Sequence, residues 1–568
     1  MELSTAKYEE LRAFHTESTE PVAIEITELF GTEITENQSS YSLCDLREFL
    51  SALCVKRIYA MTNPPKTRRI VVIGGGTSGL AAAYTLAKAR QAGAPIEEIL
   101  IEAGPRLGGV VQTETVDGFV IEAGPDSFLA EKPQAAAMAR ELGLGDDLIG
   151  SNDHARRTYI LHRGRLLPLP DGLMFLVPTR LWPMVTTPLL PLSTKLAAAR
   201  ELFFSPPKSD QDDESVASFV QRHYGQAMVE NIADPLLSGV YGGDSAALSV
   251  RSVLPRFWEM ERKYGSLTRA TLKSMRQRRA ASQANNNSGA NSGATGSSRS
   301  AKLPLFMTLK SGLQQMTTKL AAHLDKYRVF MRRPVHALEF SPGGPGGAAD
   351  SCSRRFLITC EGGKVYDADA VVLAVPANQA GGLLSSLDHR LSELLEGIPY
   401  SSSMTVSLAF DARARATLPA GFGFLVPRKE HRRMLACTFV HAKFDHRAPE
   451  GKAMLRCFLG GARDPEVLAL HDDEVVAIVR KELQDILNFT AEPLFFRVHR
   501  WHASMAQYPV GHSGRITAIE ERLQDLPGLY LAGNAYSGIG ISDCIRTGKT
   551  AAEKALKFVG VGTGNSRQ

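Results

Sequence analysis

The stretch RIVVIGGGTSG at residues 69–79 constrains the fold more than any other part of the chain. The continuous apolar run from Ile70 to Ile73 is the pattern of a strand buried on both sheet faces. Gly74, Gly76 and Gly79 follow at G-x-G-x-x-G spacing, residues 80–90 read as a helix, and residues 99–101 read as a second strand leading into Glu102. That acid stands 23 residues after Gly79. A glycine turn alone is a weak signal, but strand, turn, helix, strand and acid in this order make a βαβ unit that binds a dinucleotide. Gly74 permits the tight turn, Gly76 lets backbone approach a pyrophosphate, and Gly79 lets helix and strand pack closely. Gly75, Thr77 and Ser78 complete the cradle, where the helix N-terminus offers free N–H groups and a positive dipole end. Glu102 is placed to accept hydrogen bonds from ribose hydroxyls.

Two more buried strands read from VVLAV at 371–375 and LYLA at 529–532, the latter leading into GNAYSGIG. Strands at 337–340 and 355–360 flank the flexible insertion SPGGPGGAA. Glycine-marked strands at both ends of the chain imply a Rossmann-like α/β nucleotide domain assembled from discontinuous segments, expected at 67–153, 301–377 and 513–560. An α+β substrate domain is expected from 154–172, 240–281 and 378–512, with a helical insertion at 173–239. The Asn/Gly/Ser/Ala tract at 283–300 reads as a disordered loop, placed at 282–300. Residues 1–60 carry 11 acidic and 5 basic side chains, leaving the rest of the chain at +11. This acidic leader lacks the basic start and apolar core of a secretory signal and the Arg-rich, acid-poor character of a mitochondrial presequence. It reads as an extension through residue 66 or as an appended leader with Met61 the true start. Its removal is expected to leave activity intact.

Composition excludes several classes. Hydrophobic residues at 44% and charged residues at 22% are ordinary for a globular chain. Seven cysteines with no C-x-x-C pair offer neither a disulfide scaffold nor a zinc framework and fit a reducing, cytoplasmic compartment. His499, His502 and His512 lack a metal-ligand pattern, so no metal is assigned. The basic run 262–279 has no interleaved aromatic module, so it reads as a solvated face and no nucleic-acid partner is expected. The greasiest segment, LMFLVPTRLWPMVTTPLLPL at 173–192, contains four prolines and cannot be an ordinary membrane-spanning helix. Two readings stay open: a cavity roof, or a surface dipping into one leaflet, with Trp182 at the interface beside Arg180 and Lys195.

After Glu102 comes Arg106-Leu107-Gly108-Gly109, and with the fingerprint this resembles the amine-oxidase-like flavoproteins, whose cofactor is FAD. AGPDSF at 123–128, LLPLPDGL at 166–173, SGVYGGD at 238–244, GFGFLV at 421–426 and GNAYSGIGISDCI at 533–545 narrow the resemblance. Together they are similar to the oxygen-dependent protoporphyrinogen IX and coproporphyrinogen III oxidases of haem biosynthesis. The resemblance runs from about residue 68 to 557. It implies that Gly74 to Gly79 cradle the FAD pyrophosphate and Glu102 takes the adenosine ribose. Arg106, Gly109, Val110, Ala123, Gly124, Pro125 and Asp126 would lie along the cofactor, and Val335 would hold adenine. Gly533, Asn534, Ile539, Gly540 and Ile541 would close over the other end, with a helix starting near Ser542 aimed at the flavin. Trp501 would line the isoalloxazine.

The same resemblance implies a porphyrinogen substrate. Arg157 would bind a propionate, with Arg156 the alternative register. Phe422 and Leu425 would sandwich the macrocycle, Gly239 would present a carbonyl to it, and Phe444 is a weaker wall. Removing six hydrogens takes three two-electron cycles, with O2 as acceptor and hydrogen peroxide released. The scheme requires no side-chain acid or base, and none is assigned. The motifs do not separate the two porphyrinogens. A related amine oxidase or carotenoid desaturase is the alternative enzyme, and a flavin-binding scaffold the non-enzymatic one. The sequence says nothing of oligomeric state.

Overall fold

Five parallel strands from widely separated parts of the chain form one sheet, in the order Val329–Phe330, Ile96–Ile101, Arg68–Ile73, Ala370–Leu373, Leu529–Leu531. Ile70, Val71 and Val72 are fully buried, as a strand covered on both faces requires. The structure is a computed structural model that describes residues 67–174, 177–178, 180–206, 212–274, 276–277, 303–341 and 355–561. The acidic leader, the tract 283–300, Phe175 and all but the first residue of 341–349 lie outside the described residues.

The chain builds outward from Arg68–Ile73 on one side and then returns to the other. That reversal opens a crevice at the carboxyl ends of the strands, where open α/β sheets bind ligands. The fingerprint helix Thr77–Gln91 lies against the last helix, Ile541–Phe558, through small residues. A Cβ on Gly548 would stand 2.1 Å from the Ser78 carbonyl oxygen, so the two helices meet backbone to backbone. Both helices extend slightly beyond their expected bounds.

A second sheet of seven strands runs Phe495–Ala506, Tyr400–Phe410, Ala453–Gly460, Ala436–Phe439, Gly423–Leu425, Thr158–His162, Arg165–Pro168. It is antiparallel except where Gly423–Leu425 meets Thr158–His162. The helix Asp472–Leu487 covers one face with Val475, Val476, Val479 and Leu483, all buried. A helical region follows the second strand of this sheet, including Leu181–Thr186, Leu192–Phe203, Val216–Tyr224, Asp234–Tyr241 and Pro255–Tyr264. The fold is thus mixed α/β, with parallel, antiparallel and helical parts as expected.

The segment 173–192 has two faces rather than one. Val177, Met184, Leu189 and Leu190 are buried, while Trp182 is 75% and Leu192 71% exposed. Among the described residues, no helix is long and apolar enough to cross a membrane.

Buried charges join the strand Phe119–Glu122 and the loop after it to the seven-stranded sheet. Asp126 binds the Lys443 ammonium at 2.9 Å and has the Arg456 guanidinium at 4.0 Å. Beside it Glu122 pairs with Arg447 at 3.1 Å and accepts the Leu313 N–H and the Thr113 hydroxyl. Three cations thus face two carboxylates. Burial alone would raise the Asp126 carboxyl pKa, but Lys443 and Arg456 outweigh it and hold the group well below the usual carboxylate range. At Glu122 burial outweighs Arg447, and the pKa is raised. A depressed carboxyl contributes stability that is complete above its unfolded pKa of about 3.9 and is lost as pH falls through the folded value. Asp126→Asn breaks a buried pair and should cost about 3–5 kcal/mol near neutrality. In urea denaturation, the gap between wild type and variant should then narrow as pH falls below about 4.

Candidate active site

The glycine fingerprint sits at the mouth of the parallel sheet's crevice, and its backbone contacts explain each glycine. Gly74 has φ +103° and would place a Cβ 2.6 Å from the Ala374 carbonyl oxygen. Gly79 would drive one to 1.7 Å from the Gly74 carbonyl oxygen. Gly76 is different, for nothing lies within 4 Å of its Cβ position, so the turn faces open space. The Gly108–Gly109 segment comes alongside, with Gly108 N–H bonded to the Gly75 carbonyl at 2.8 Å. A Cβ on Gly109 would stand 3.1 Å from the Gly76 Cα. This is a cradle of bare backbone at a helix N-terminus, which fits a pyrophosphate.

Glu102 leaves the end of its strand and accepts the N–H groups of Gly75 and Gly104, each at 2.6 Å. A carboxylate has about four acceptor sites, so capacity remains for ribose hydroxyls. Arg106 folds over the next turn, donating to the carbonyls of Leu107 at 3.0 Å and Val111 at 3.2 Å and to that of Gly109. Arg332 and Arg333 donate backbone N–H groups to Gly104 and Glu102, which brings Val335 to the same edge of the site.

Ala123 and Gly124 form the opposite wall. The Ala123 carbonyl accepts Trp501 Nε1 at 2.9 Å and the Thr405 hydroxyl at 3.1 Å. Arg456 donates to the carbonyl of Gly124, whose missing Cβ would lie 1.9 Å from the Val110 carbonyl oxygen. The indole of Trp501 is therefore tied to the Ala123 backbone. The Asp126 side chain serves the ion cluster, so at Asp126 only the backbone is left to line the wall. Gly533, with φ +150°, donates its N–H to the Thr547 hydroxyl. Ile541 starts the last helix, capped by Gly540. Asp543 lies in its first turn, paired with Lys132 at 2.6 Å, so this helix end carries a carboxylate of its own.

Of the expected substrate residues, Leu425 is on the seven-stranded sheet, and Arg157 and Phe422 stand just before two of its neighbouring strands. Phe422 N–H bonds the Arg157 carbonyl at 2.8 Å, and both Arg156 and Arg157 have exposed side chains. Strict strand alternation would turn Phe422 and Leu425 to opposite faces. Gly421 at φ +136° and Gly423 at φ +135° break that alternation. Added Cβ atoms there would strike the carbonyl oxygens of Arg157 at 2.4 Å and Cys437 at 2.0 Å. Gly239 approaches Leu425, its Cβ position being 3.2 Å from Leu425 Cδ2. It lies in the last turn of Asp234–Tyr241, where carbonyls lack intrahelical partners. Phe444 is fully buried beside the Lys443 ammonium, 5.1 Å from its ring, and stands at the ion cluster rather than with Leu425.

Sequence reasoning passed over Lys443, Arg447, Arg456 and Tyr508. Arg456 had a readable signal, being a charge inside the apolar strand AMLRCFLG. Lys443 had none. The open space at Gly76 separates folding from binding. Gly76→Asp should fold normally yet lose the cofactor, because its carboxylate would repel a pyrophosphate. Circular dichroism beside the flavin absorbance of purified variant checks both.

Residues 77–556 match the model of the flavin containing amine oxidoreductase family. The chain is 35% identical over 494 residues to the coproporphyrinogen III oxidase of Bacillus subtilis (strain 168), covering 87% of this chain and 98% of that protein. It is 27% identical over 504 residues to the chloroplastic protoporphyrinogen oxidase of Nicotiana tabacum, covering 86% and 85%. The crystal structure of a candidate protoporphyrinogen oxidase from Exiguobacterium sp. 255-15 superposes with TM-score 0.72 and 31% identity over 87% of this chain and 99% of that one. Glycine cradle, ribose acid and fold agree with these likenesses: the chain belongs to the flavin-containing amine oxidoreductase family and is an FAD-dependent oxidoreductase.

Proposed function

We propose that the protein oxidises a porphyrinogen of haem biosynthesis to its porphyrin, and that the porphyrinogen is coproporphyrinogen III. One observation carries the choice: 35% identity along 98% of a curated coproporphyrinogen III oxidase, against 27% to the tobacco protoporphyrinogen oxidase. Coproporphyrinogen III has four propionates, and the exposed pair Arg156 and Arg157 supplies two adjacent cations for them.

In this reading 67–153, 301–377 and 513–560 form the FAD domain, and 154–172, 240–281 and 378–512 the substrate domain. The residues given above for the cradle, the Ala123–Asp126 wall, Val335, Trp501 and the 533–541 segment hold FAD. When bound, FAD accepts two electrons per cycle from the substrate and passes them to O2. Leu425 and Phe422 hold the macrocycle flat, the Gly239 carbonyl accepts a pyrrole N–H, and Arg157 pairs with a propionate. The protein's part is orientation, and protons leave to solvent.

Porphyrin fluorescence during turnover of each porphyrinogen tests the assignment, with coproporphyrinogen III expected to react faster. Faster protoporphyrinogen IX oxidation would reverse it. Arg157→Ala removes a charge-assisted hydrogen bond worth roughly 1.5–3 kcal/mol. It should raise KM about tenfold to a hundredfold with flavin content unchanged.

We also propose contact with one membrane leaflet through the helical region. Leu192, Leu196 and Phe203 share one face of Leu192–Phe203 and are 71%, 61% and 70% exposed, near Phe204 at 65% and Trp182 at 75%. Lys195 and Arg200 border them, as an interfacial surface requires. Trp182→Glu with Leu196→Glu should move protein from the liposome pellet to the supernatant with FAD still bound. Wild type that never pellets at low salt would make the segment a cavity roof alone.

A further inference from the structure

The segment from Gly533 to Gly540 is irregular backbone between a strand and a helix, with Gly533 at φ +150° and Gly538 at φ +118°. Such a turn has no ladder of its own to define its shape. Arg546 donates to the Ser537 carbonyl within it at 2.6 Å, and the Tyr508 side chain bonds both of its shoulders. Tyr508 donates its hydroxyl proton to the Asn534 carbonyl at 2.6 Å and accepts the Gly538 N–H at 2.8 Å. One oxygen thereby ties both shoulders of the turn, using its donor and an acceptor site. The Asn534 side chain adds a second tether, donating to the Ser504 carbonyl at 3.0 Å.

Tyr508 is itself immobilised. Its side chain is buried, and its ring stacks on that of His512 with centroids 4.2 Å apart and planes 10° apart. The imidazole is also buried, and its pKa is pushed down to about 4 by burial and the nearby Arg515, so the partner ring is neutral. The Tyr508 carbonyl accepts the Ser249 N–H at 2.8 Å, and Leu248 bridges Pro509. Ser249 continues the chain after the helix that carries Gly239. Tyr508 thus connects the substrate side of the molecule to the turn assigned to the flavin.

We propose that Tyr508 is a positioning residue that sets the 533–540 turn against the flavin, and through it the retention and reduction potential of FAD. The proposal rests on the FAD assignment of that turn. Tyr508→Phe keeps the ring and the stack and removes only the hydroxyl, which takes this partner from the Asn534 carbonyl and the Gly538 N–H. In the holoenzyme, flavin release on heating, read by flavin fluorescence, should fall to a lower temperature than global unfolding read by circular dichroism. The FAD dissociation constant should rise about tenfold, the scale of two lost hydrogen bonds. The midpoint potential should shift, and kcat should fall with KM unchanged.

His512→Ala, which removes both the stacking partner of Tyr508 and an imidazole facing the Ala535 and Tyr536 backbone but keeps the hydroxyl, should move the same readouts in the same direction by a smaller factor. It serves as the test should Tyr508→Phe fail to fold. A Tyr508→Phe protein with lowered thermal stability but unchanged FAD affinity, potential and kcat would overturn the proposal, since the hydroxyl would then be structural only. Unchanged FAD readouts in a folded His512→Ala protein would overturn it equally. Wild type that takes up no FAD would instead defeat the cofactor reading on which the proposal rests.

Discussion

Close backbone contact without intervening side chains is the constraint on which the molecule depends. Gly79 lies on the Gly74 carbonyl, Gly548 on Ser78, and Gly124 on Val110. These contacts bring the first strand-turn-helix, the last helix and the Ala123–Asp126 segment together. Any Cβ at those points would stand 1.7 to 2.1 Å from a carbonyl oxygen, well inside contact distance. The result is a crevice walled by peptide groups, whose N–H donors suit a phosphate better than any side chain could.

Beneath one wall of that crevice the protein places charges where water is scarce. Arg456 comes from the seven-stranded sheet, Lys443 from the short helix Val440–Lys443 that follows one of its strands, and Asp126 from the other side of the joint. Burial alone would disfavour each of these charges, so they persist only as a mutually compensating set. The arrangement ties the seven-stranded sheet to the Ala123–Asp126 wall, with Arg456 also bonded to the Gly124 carbonyl.

The helical region shows how one apolar stretch can serve two surroundings. Met184, Leu189 and Leu190 pack inward while Trp182, Leu192 and Leu196 face outward. Prolines keep the stretch from forming one continuous helix, so its apolar residues are divided between inner and outer faces.

The sequence by itself determined the nucleotide unit, because a strand, a glycine turn and a helix are specified by contiguous residues whose spacing has a direct steric meaning. It also marked part of the candidate site, since the glycines at 74, 79, 421 and 423 stand where a Cβ would strike a backbone carbonyl. Tertiary structure alone decided which distant segments meet. The strand order, the pairing of Asp126 with a lysine 317 residues away and the span of Tyr508 across Asn534 and Gly538 depend on sheet register and helix packing. A buried tyrosine or lysine looks in sequence like any other, because its role lies in partners that local spacing does not encode. The outward and inward faces of the described residues in 182–204 were likewise settled only when the chain packed, since proline-broken apolar sequence has no period from which a face can be read.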